Sequence, residues 1–151
     1  MEPDEMIIPI ACDHGGFEAK QALKKFITEI GHLTIDFGSH NDDSVDYPDY
    51  AILVAKAVGT GEYERGILIC GSGQGMCMTA NKVDNVRAAL AWSPESAALS
   101  VQHNNANILC LPGRLLPVEE LKAITKAWLD SSFEGGRHER RVGKIHQLTN
   151  H

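Results

Sequence analysis

The sequence predicts an α/β fold in which an open, five-stranded parallel sheet carries helices on both faces. Short continuous apolar runs, typical of strands that are buried on both faces, recur along the chain. Between them lie segments whose apolar residues repeat at helical spacing. No repeat, linker or low-complexity segment interrupts this alternation, which favours right-handed crossovers within one sheet.

Five apolar runs are predicted as strands, at 7–12, 33–37, 67–70, 87–91 and 107–111. Helices are predicted at 17–30, 50–58, 76–82, 94–102 and 117–130, and in the tail beyond 136. Gly31 ends the first helix, while Ser93 and Pro94 supply the N-cap and the first helical position of the fourth. Trp92 and Trp128 are both expected in the core. The tail helix has apolar residues on one side, namely Val142, Ile145 and Leu148.

Length and composition predict one domain over residues 1–151. With 43% hydrophobic and 23% charged residues the chain has the composition of a globular protein, and its apolar runs are shorter than the roughly 18 residues of a membrane span. A net charge of −6 disfavours a nucleic-acid surface. The acidic start is unlike a signal peptide, so we expect a cytoplasmic protein. The cysteines have no spacing typical of zinc sites or disulfide frameworks, and they stand at 12, 70, 77 and 110.

The segment 66–76 has the most informative pattern. It runs from an apolar strand into glycines at 71, 73 and 75 and then into a helix. Such a loop can direct backbone N–H groups at an anion, and Cys70 stands just before it, where a helix N-terminus stabilises a thiolate. The loop alone is equally compatible with a glycine-rich turn beside a buried, inert cysteine. We assign Cys12, Cys77 and Cys110 to packing.

Candidate site residues lie at or just beyond the ends of three predicted strands. Asp13 and His14 follow the first, Cys70 and Gly71 stand at the end of the third, and Arg114 comes soon after the fifth. Because ligands of open α/β sheets bind outside the carboxyl ends of the strands, these residues are expected to share a site. Asp13 with His14 is also compatible with an Asx-type turn that carries an exposed histidine.

Further candidates lie near the ends of the later helices. His103 closes the fourth helix, where a histidine is also favourable for purely structural reasons. Arg137 and Arg141, four residues apart, share a helix face that His138 can reach. Two guanidinium groups suit a phosphate monoester, although a run of charges is more commonly a solvated face.

Taken together, these residues resemble type B ribose-5-phosphate isomerases, in the wider family that includes galactose-6-phosphate isomerase. The similarity spans essentially the whole chain, in the family's order. The matching segments are Cys-Asp-His-Gly-Gly-Phe at 12–17, Asp-Tyr-Pro at 46–48, Ile-Cys-Gly-Ser-Gly-Gln-Gly at 69–75, Asn-Lys at 81–82, Gln-His-Asn at 102–104 and Glu-Gly-Gly-Arg-His at 134–138.

The resemblance implies a Rossmann-like three-layer sandwich that interconverts D-ribose 5-phosphate and D-ribulose 5-phosphate without metal or organic cofactor. It also implies a homodimer or a dimer of dimers whose sites draw residues from both chains. By the resemblance Cys70 would be the base. Some members use a glutamate from the following helix instead, and the absence of a carboxylate from 70–76 favours the cysteine type. His103 would be the acid that opens the sugar ring. The substrate-binding residues implied are Asp13, His14, Gly71, Ser72, Gly73, Gln74, Gly75, Asn104, Arg114, Arg137 and Arg141, with Tyr47 and His138 as neighbours.

Two alternatives remain at this point. Within the same reaction class, the substrate could be a six-carbon sugar phosphate such as allose or galactose 6-phosphate. In another class, the chain could be a non-catalytic phosphate- or nucleotide-binding module with a flavodoxin-like sheet, which would need neither Cys70 nor His103.

Overall fold

The computed structural model describes residues 4–151 and contains a five-stranded parallel sheet. All five predicted strands are present, with ends shifted by no more than one residue. They are β1 (Ile7–Cys12), β2 (Leu33–Asp36), β3 (Gly66–Cys70), β4 (Ala88–Leu90) and β5 (Ile108–Pro112). Their order across the sheet is β2-β1-β3-β5-β4. In a flavodoxin-like sheet the last two strands would be exchanged, so the sheet of the alternative binding module is wrong for this chain.

The helices confirm the predicted alternation. They are α1 (Phe17–Glu29), α2 (Tyr47–Gly59), α3 (Gln74–Ala80), α4 (Pro94–Gln102), α5 (Val118–Asp130) and α6 (Arg137–Thr149), and a 3-10 turn, His14–Gly16, precedes α1. Helix α2 begins three residues before its predicted start, because Pro48 is well suited to a first turn. The Ser93 cap forms as predicted, with its side chain accepting from the N–H of Ser96.

The sheet is covered on both faces. Leu23 of α1, Val101 of α4 and Trp128 of α5 belong to one buried cluster, while α2 and α3 contribute to the other. Every residue of β3 and β5 is therefore buried, as their continuous apolar sequences predict. The three-layer α/β architecture is confirmed.

Two apolar positions lie outside these clusters. Trp92 is 45% exposed, so its predicted core position is wrong. It directly follows Ala91, which is buried just after the edge strand β4, and it precedes the cap of α4, so its side chain leaves the sheet. On α6 only Val142 is buried, whereas Leu148 is 78% exposed. The apolar side of α6 therefore lies largely uncovered in the single chain.

Candidate active site

Residues that follow β1, β3 and β5 meet at the carboxyl edge of the sheet, as predicted. These strands are neighbours, and their ends are joined by backbone hydrogen bonds. The N–H of Asp13 donates to Ile69 O at 3.2 Å, and the N–H of Arg114 donates to Gly71 O at 3.1 Å. The carboxyl edge therefore brings together Asp13, the Cys70 loop and Arg114.

Cys70 is the last residue of β3 and is buried. Its Sγ accepts a hydrogen bond from the N–H of Gly73 at 3.2 Å. This N–H group is therefore a donor directed at the sulfur atom of the candidate base. Gly73 has φ +78°, which makes this turn accessible to glycine in particular.

The rest of the loop packs closely against its neighbours. The N–H of Gln74 donates to Ser72 Oγ at 3.3 Å. A methyl group on Gly75 would overlap the ring of Tyr47, and one on Gly15 would lie 2.9 Å from the N atom of Gly71. The loops after β1 and β3 and the start of α2 are thus in contact, and Tyr47 lies at the carboxyl edge as the resemblance implied.

Asp13 and His14 are both held by local hydrogen bonds. Asp13 Oδ1 accepts from the N–H of Gly15 at 2.9 Å, so the Asx-type turn considered above does form. His14 Nδ1 accepts from the N–H of Val45 at 3.2 Å. Because Nδ1 is an acceptor, the ring hydrogen of neutral His14 lies on Nε2, which leaves that atom as a donor.

His103 lies elsewhere, in a cluster with Glu134 and His138. The two imidazoles are stacked with centroids 4.3 Å apart and planes 11° apart. Each Nε2 lies 3.7 Å from Glu134 Oε1. The N–H of Glu134 donates to Gln102 O at 3.0 Å, which fixes the segment before α6 against the end of α4.

Opposing charges act on His138 in this cluster. Burial lowers the pKa of His138, and the positive charges of His103, Arg137 and Arg141 lower it further, while Glu134 raises it. Arg137 and Arg141 therefore lie close enough to act on the His138 imidazole, which their helical spacing places near the same face. Glu134 precedes α6, so helical spacing does not mark it, and its one sign in the sequence was its place in the segment 134–138 of the family resemblance.

The His103 cluster lies at the opposite, amino edge of the sheet. His103 ends α4, the chain then turns back, and Asn107 leads into β5 beside the start of β3, where its carbonyl accepts from the N–H of Gly66. Asn104 is exposed at this edge and shares a shallow hollow with Asn81 and Ile145. A single chain therefore gathers the candidate residues into two groups and does not bring Cys70 and His103 together.

A family model described as Ribose/Galactose Isomerase matches residues 8–145. The chain belongs to the ribose/galactose isomerase family.

Relatives within the ribose/galactose isomerase family match the chain over nearly its whole length. Ribose-5-phosphate isomerase B of Escherichia coli is 44% identical over 138 residues, which are 91% of this chain and 93% of that protein. The structure of ribose-5-phosphate isomerase B from Clostridium thermocellum superposes with a TM-score of 0.94 at 45% identity, covering 96% of this chain and 98% of that one. That of the Mycoplasma genitalium enzyme, solved with bound ribulose-5-phosphate, has a TM-score of 0.91 at 43% identity, covering 95% and 96%.

The three cysteines other than Cys70 have surroundings that indicate a structural role. Cys12 and Cys110 are fully buried, and burial raises the pKa of both thiols. Cys77 is half-buried, and its Sγ donates to Ala88 O at 3.5 Å. A hydrogen bond with Cys110 lowers the pKa of Cys77 against the opposing effect of burial. The packing role predicted for Cys12 and Cys110 agrees with their burial.

Asn81, part of the family resemblance, has a structural role. Its Nδ2 donates to Ala88 O at 2.9 Å, and its Oδ1 accepts from the Ala88 N–H at 2.8 Å. The side chain amide thus binds the backbone of the edge strand β4.

Among the described residues, His103, Glu134 and His138 form the one group whose ligand atoms could hold a metal ion, all lying within 4.8 Å of one another. Lone pairs of imidazole nitrogens lie in the ring planes. Because the two rings are nearly parallel, one of them would have to rotate before both could bind one ion. Within residues 4–151, no helix has the length and apolar character that crossing a bilayer requires.

Proposed function

We propose that the protein is an aldose–ketose isomerase that interconverts D-ribose 5-phosphate and D-ribulose 5-phosphate without metal or organic cofactor. The observation that carries the proposal is the buried thiol of Cys70, which accepts a hydrogen bond from the N–H of Gly73. This thiol lies at the carboxyl edge of the sheet in a chain that belongs to the ribose/galactose isomerase family. The relative solved with ribulose-5-phosphate bound supports a pentose phosphate as the substrate.

Cys70 is the proposed base. As a thiolate it removes the proton from C2 of the open aldose, giving an enediolate, and returns a proton to C1. The hydroxyl proton of O2 passes to O1, which leaves the ketose carbonyl at C2. Negative charge develops on the sugar oxygens, and the loop from Gly71 to Gly75 offers backbone N–H donors that stabilise it. Within this loop the N–H groups of Gly73 and Gln74 already donate to Cys70 Sγ and Ser72 Oγ. Loss of one such preorganised donor typically costs about 3–4 kcal/mol of transition-state stabilisation.

His103 is the proposed acid that opens the closed sugar. It protonates the ring oxygen while the anomeric hydroxyl loses its proton, and the C1–ring oxygen bond breaks to give the open aldehyde. Asp13 assists at the sugar hydroxyls, and Asn104 binds the substrate. Glu134 and His138, in contact with the His103 imidazole, orient it for this step. A general acid must lie within hydrogen-bond reach of the atom it protonates, so His103 and Cys70 have to be within one sugar length of each other.

The proposed site therefore forms between two chains. The carboxyl edge of one chain provides Cys70, and the amino edge of a second chain provides His103. Most of the apolar side of α6 lies uncovered beside the amino edge, with Ile145 45% exposed, which supports contact with another copy. We propose a homodimer, alone or within a dimer of dimers.

The phosphate end is assigned to residues from both edges. His14 and Arg114 lie at the carboxyl edge, where His14 presents Nε2–H. Arg137 and Arg141 of the second chain add two guanidinium groups, which bind phosphate oxygens in fork geometry. The four cysteines are free thiols, which fits the cytoplasmic location that we propose.

The test is ribulose 5-phosphate formation from ribose 5-phosphate in metal-free buffer, with allose 6-phosphate and galactose 6-phosphate assayed in parallel. We expect turnover with the pentose phosphate, little with the hexose phosphates, and none in Cys70→Ala. Cys110→Ala is the matched control, since it removes a buried thiol of β5 and should retain turnover. Preference for a hexose phosphate would keep the mechanism and replace the substrate, whereas full activity in Cys70→Ala would exclude this base.

A further inference from the structure

The ammonium group of Lys20 is fully buried, although it lies on α1 and outside the candidate site. Its Nζ donates to Asp36 Oδ1 at 2.7 Å and to the carbonyl of Ser39. A charge in the interior is costly unless it is paired and hydrogen-bonded. Both acceptors lie where β2 leads into the loop 38–46, so the buried charge fixes the beginning of that loop.

Backbone hydrogen bonds also fix the beginning of the loop 38–46. The N–H of Cys12 donates to Gly38 O at 2.7 Å, and the N–H of Ser39 donates to Cys12 O at 2.9 Å. The N–H of Gly38 also donates to Asp36 Oδ1 at 2.8 Å. Lys20, Asp36 and the end of β1 together determine the direction in which the loop leaves the sheet.

The far end of the loop contacts the candidate site. The N–H of Val45 donates to His14 Nδ1 at 3.2 Å, and the ring of Tyr47, at the start of α2, lies against Gly75. If the loop were displaced, His14 would lose the donor that keeps its hydrogen on Nε2. A neutral histidine with its hydrogen on Nδ1 would present a lone pair at Nε2, which repels a phosphate oxygen.

We propose that Lys20 is a positioning residue: it holds the loop 38–46 so that the N–H of Val45 keeps His14 in the Nε2–H tautomer that donates to the substrate phosphate. This rests on the proposed function, which assigns His14 to the phosphate. Lys20 itself does not touch the substrate. Lys24 offers a natural comparison, because it binds the other oxygen of Asp36 at 2.8 Å, is partly exposed and makes no contact with Ser39.

The first experiment compares the full-length variants Lys20→Met and Lys24→Met, after circular dichroism has established that both are folded. We expect Lys20→Met to raise KM for ribose 5-phosphate roughly tenfold, the effect of losing one charge-assisted hydrogen bond, with kcat within twofold of the wild-type value. Lys24→Met should retain the wild-type KM. A Lys20→Met protein with a lower Tm and an unchanged KM would overturn the proposal, because a purely structural lysine gives that result.

The second experiment measures the His14 tautomer directly by ¹⁵N NMR of the imidazole at pH 8, where an ordinary histidine is neutral. We expect the Nε2–H tautomer in the wild type and in Lys24→Met, and a mixture of tautomers in Lys20→Met. An unaltered tautomer in Lys20→Met would overturn the proposal. If Lys20→Met does not fold, Asp36→Asn replaces it with the same two measurements, since it keeps the shape of the partner but removes its charge.

A third variant separates this inference from the proposed function. His14→Ala should raise KM, and Lys20→Met/His14→Ala should raise it no further. If His14→Ala leaves KM unchanged while the wild type turns over ribose 5-phosphate, the phosphate role of His14 fails, and the tautomer in Lys20→Met still decides whether Lys20 positions the ring. If Lys20→Met raises KM by the same factor in the wild type and in His14→Ala, Lys20 acts on KM by a route that does not involve His14, and the proposal is overturned.

Discussion

Cys70 and His103 lie at opposite edges of the same parallel sheet. Cys70 is the last residue of β3 and pairs with Pro112, the last residue of β5. His103 comes before the start of β5, where Ile108 pairs with Gly66, the first residue of β3. A five-residue strand spans about 16 Å. A sugar whose C2 lies at the thiol of one chain therefore cannot have its ring oxygen at the imidazole of that same chain.

This separation predicts that two inactive variants complement each other. Cys70→Ala and His103→Asn should each be inactive alone. When the two are refolded together, a hybrid of the proposed dimer should have one site with both groups intact and one site with neither. Random pairing makes about half of the dimers hybrid, so the mixture should recover about a quarter of wild-type turnover. The measurement is ribose 5-phosphate turnover before and after joint refolding.

The matched control for complementation is a mixture of Cys70→Ala with Arg114→Ala. Both of these residues lie at the carboxyl edge of one chain, so each chain of the hybrid has one damaged edge and turnover should not recover. Recovery in the control alone, or no recovery in the first mixture, would contradict a site shared across the two edges.

The secondary structure could be predicted from the sequence because it is a local property. Apolar runs, the Ser93 cap and helical spacing each depend on residues near one another in the chain, and the structure confirms them. Strand order is not local, since β5 lies between β3 and β4 although it follows both in sequence. No single-sequence pattern in the chain specifies that insertion.

The candidate site also has a part that could be predicted from the sequence and a part that could not. Residues just past the ends of adjacent strands were predictable as a group, since parallel strands end at one edge. The stacking of His103 on His138 was not, because it joins the ends of two helices that are separate in sequence. The core position predicted for Trp92 was wrong for a related reason: its apolar character gave no sign that the preceding strand, β4, would lie at the edge of the sheet.

The charges around His138 predict opposite shifts in two variants. Glu134 raises the pKa of His138 and Arg137 lowers it, in addition to the lowering by burial. Glu134→Gln should therefore lower the pKa of His138, and Arg137→Gln should raise it. NMR titration of the His138 imidazole measures both shifts. Lys144→Gln, on the same helix, is the control and should leave the titration unchanged; two shifts of the same sign would contradict the assignment of these charges.

Asp36 predicts a stability change in acid. Burial would raise the pKa of Asp36, but hydrogen bonds from Lys20, Lys24 and the Gly38 N–H outweigh burial and lower it below its ordinary 3.8. Because the folded pKa is depressed, the stabilisation is fully present above about pH 4 and is lost as the pH falls through the folded pKa. Asp36→Asn should lower the free energy of unfolding by about 3 kcal/mol at pH 7, and by less at pH 3.

Urea unfolding at pH 7 and pH 3 measures this difference for Asp36. Asp43→Asn, on the exposed part of the loop, serves as the control and should change neither value by more than about 0.5 kcal/mol. A deficit in Asp36→Asn that is equally large at both pH values would mean that the carboxylate charge is not the stabilising feature.

The contact between Gly75 and Tyr47 predicts that removal of the Tyr47 ring restores stability to an alanine variant at Gly75 but not to one at Gly73. A methyl group on Gly75 would overlap the Tyr47 ring, so Gly75→Ala should cost about 1–3 kcal/mol of unfolding free energy, and Gly75→Ala/Tyr47→Ala should recover most of it. A methyl group on Gly73 would instead lie 3.0 Å from the backbone of Leu111, on a residue with φ +78°. Adding Tyr47→Ala to Gly73→Ala should therefore recover nothing. Thermal unfolding of the four variants measures both pairs, and equal recovery in the two pairs would mean that the Tyr47 ring is not what excludes a side chain at position 75.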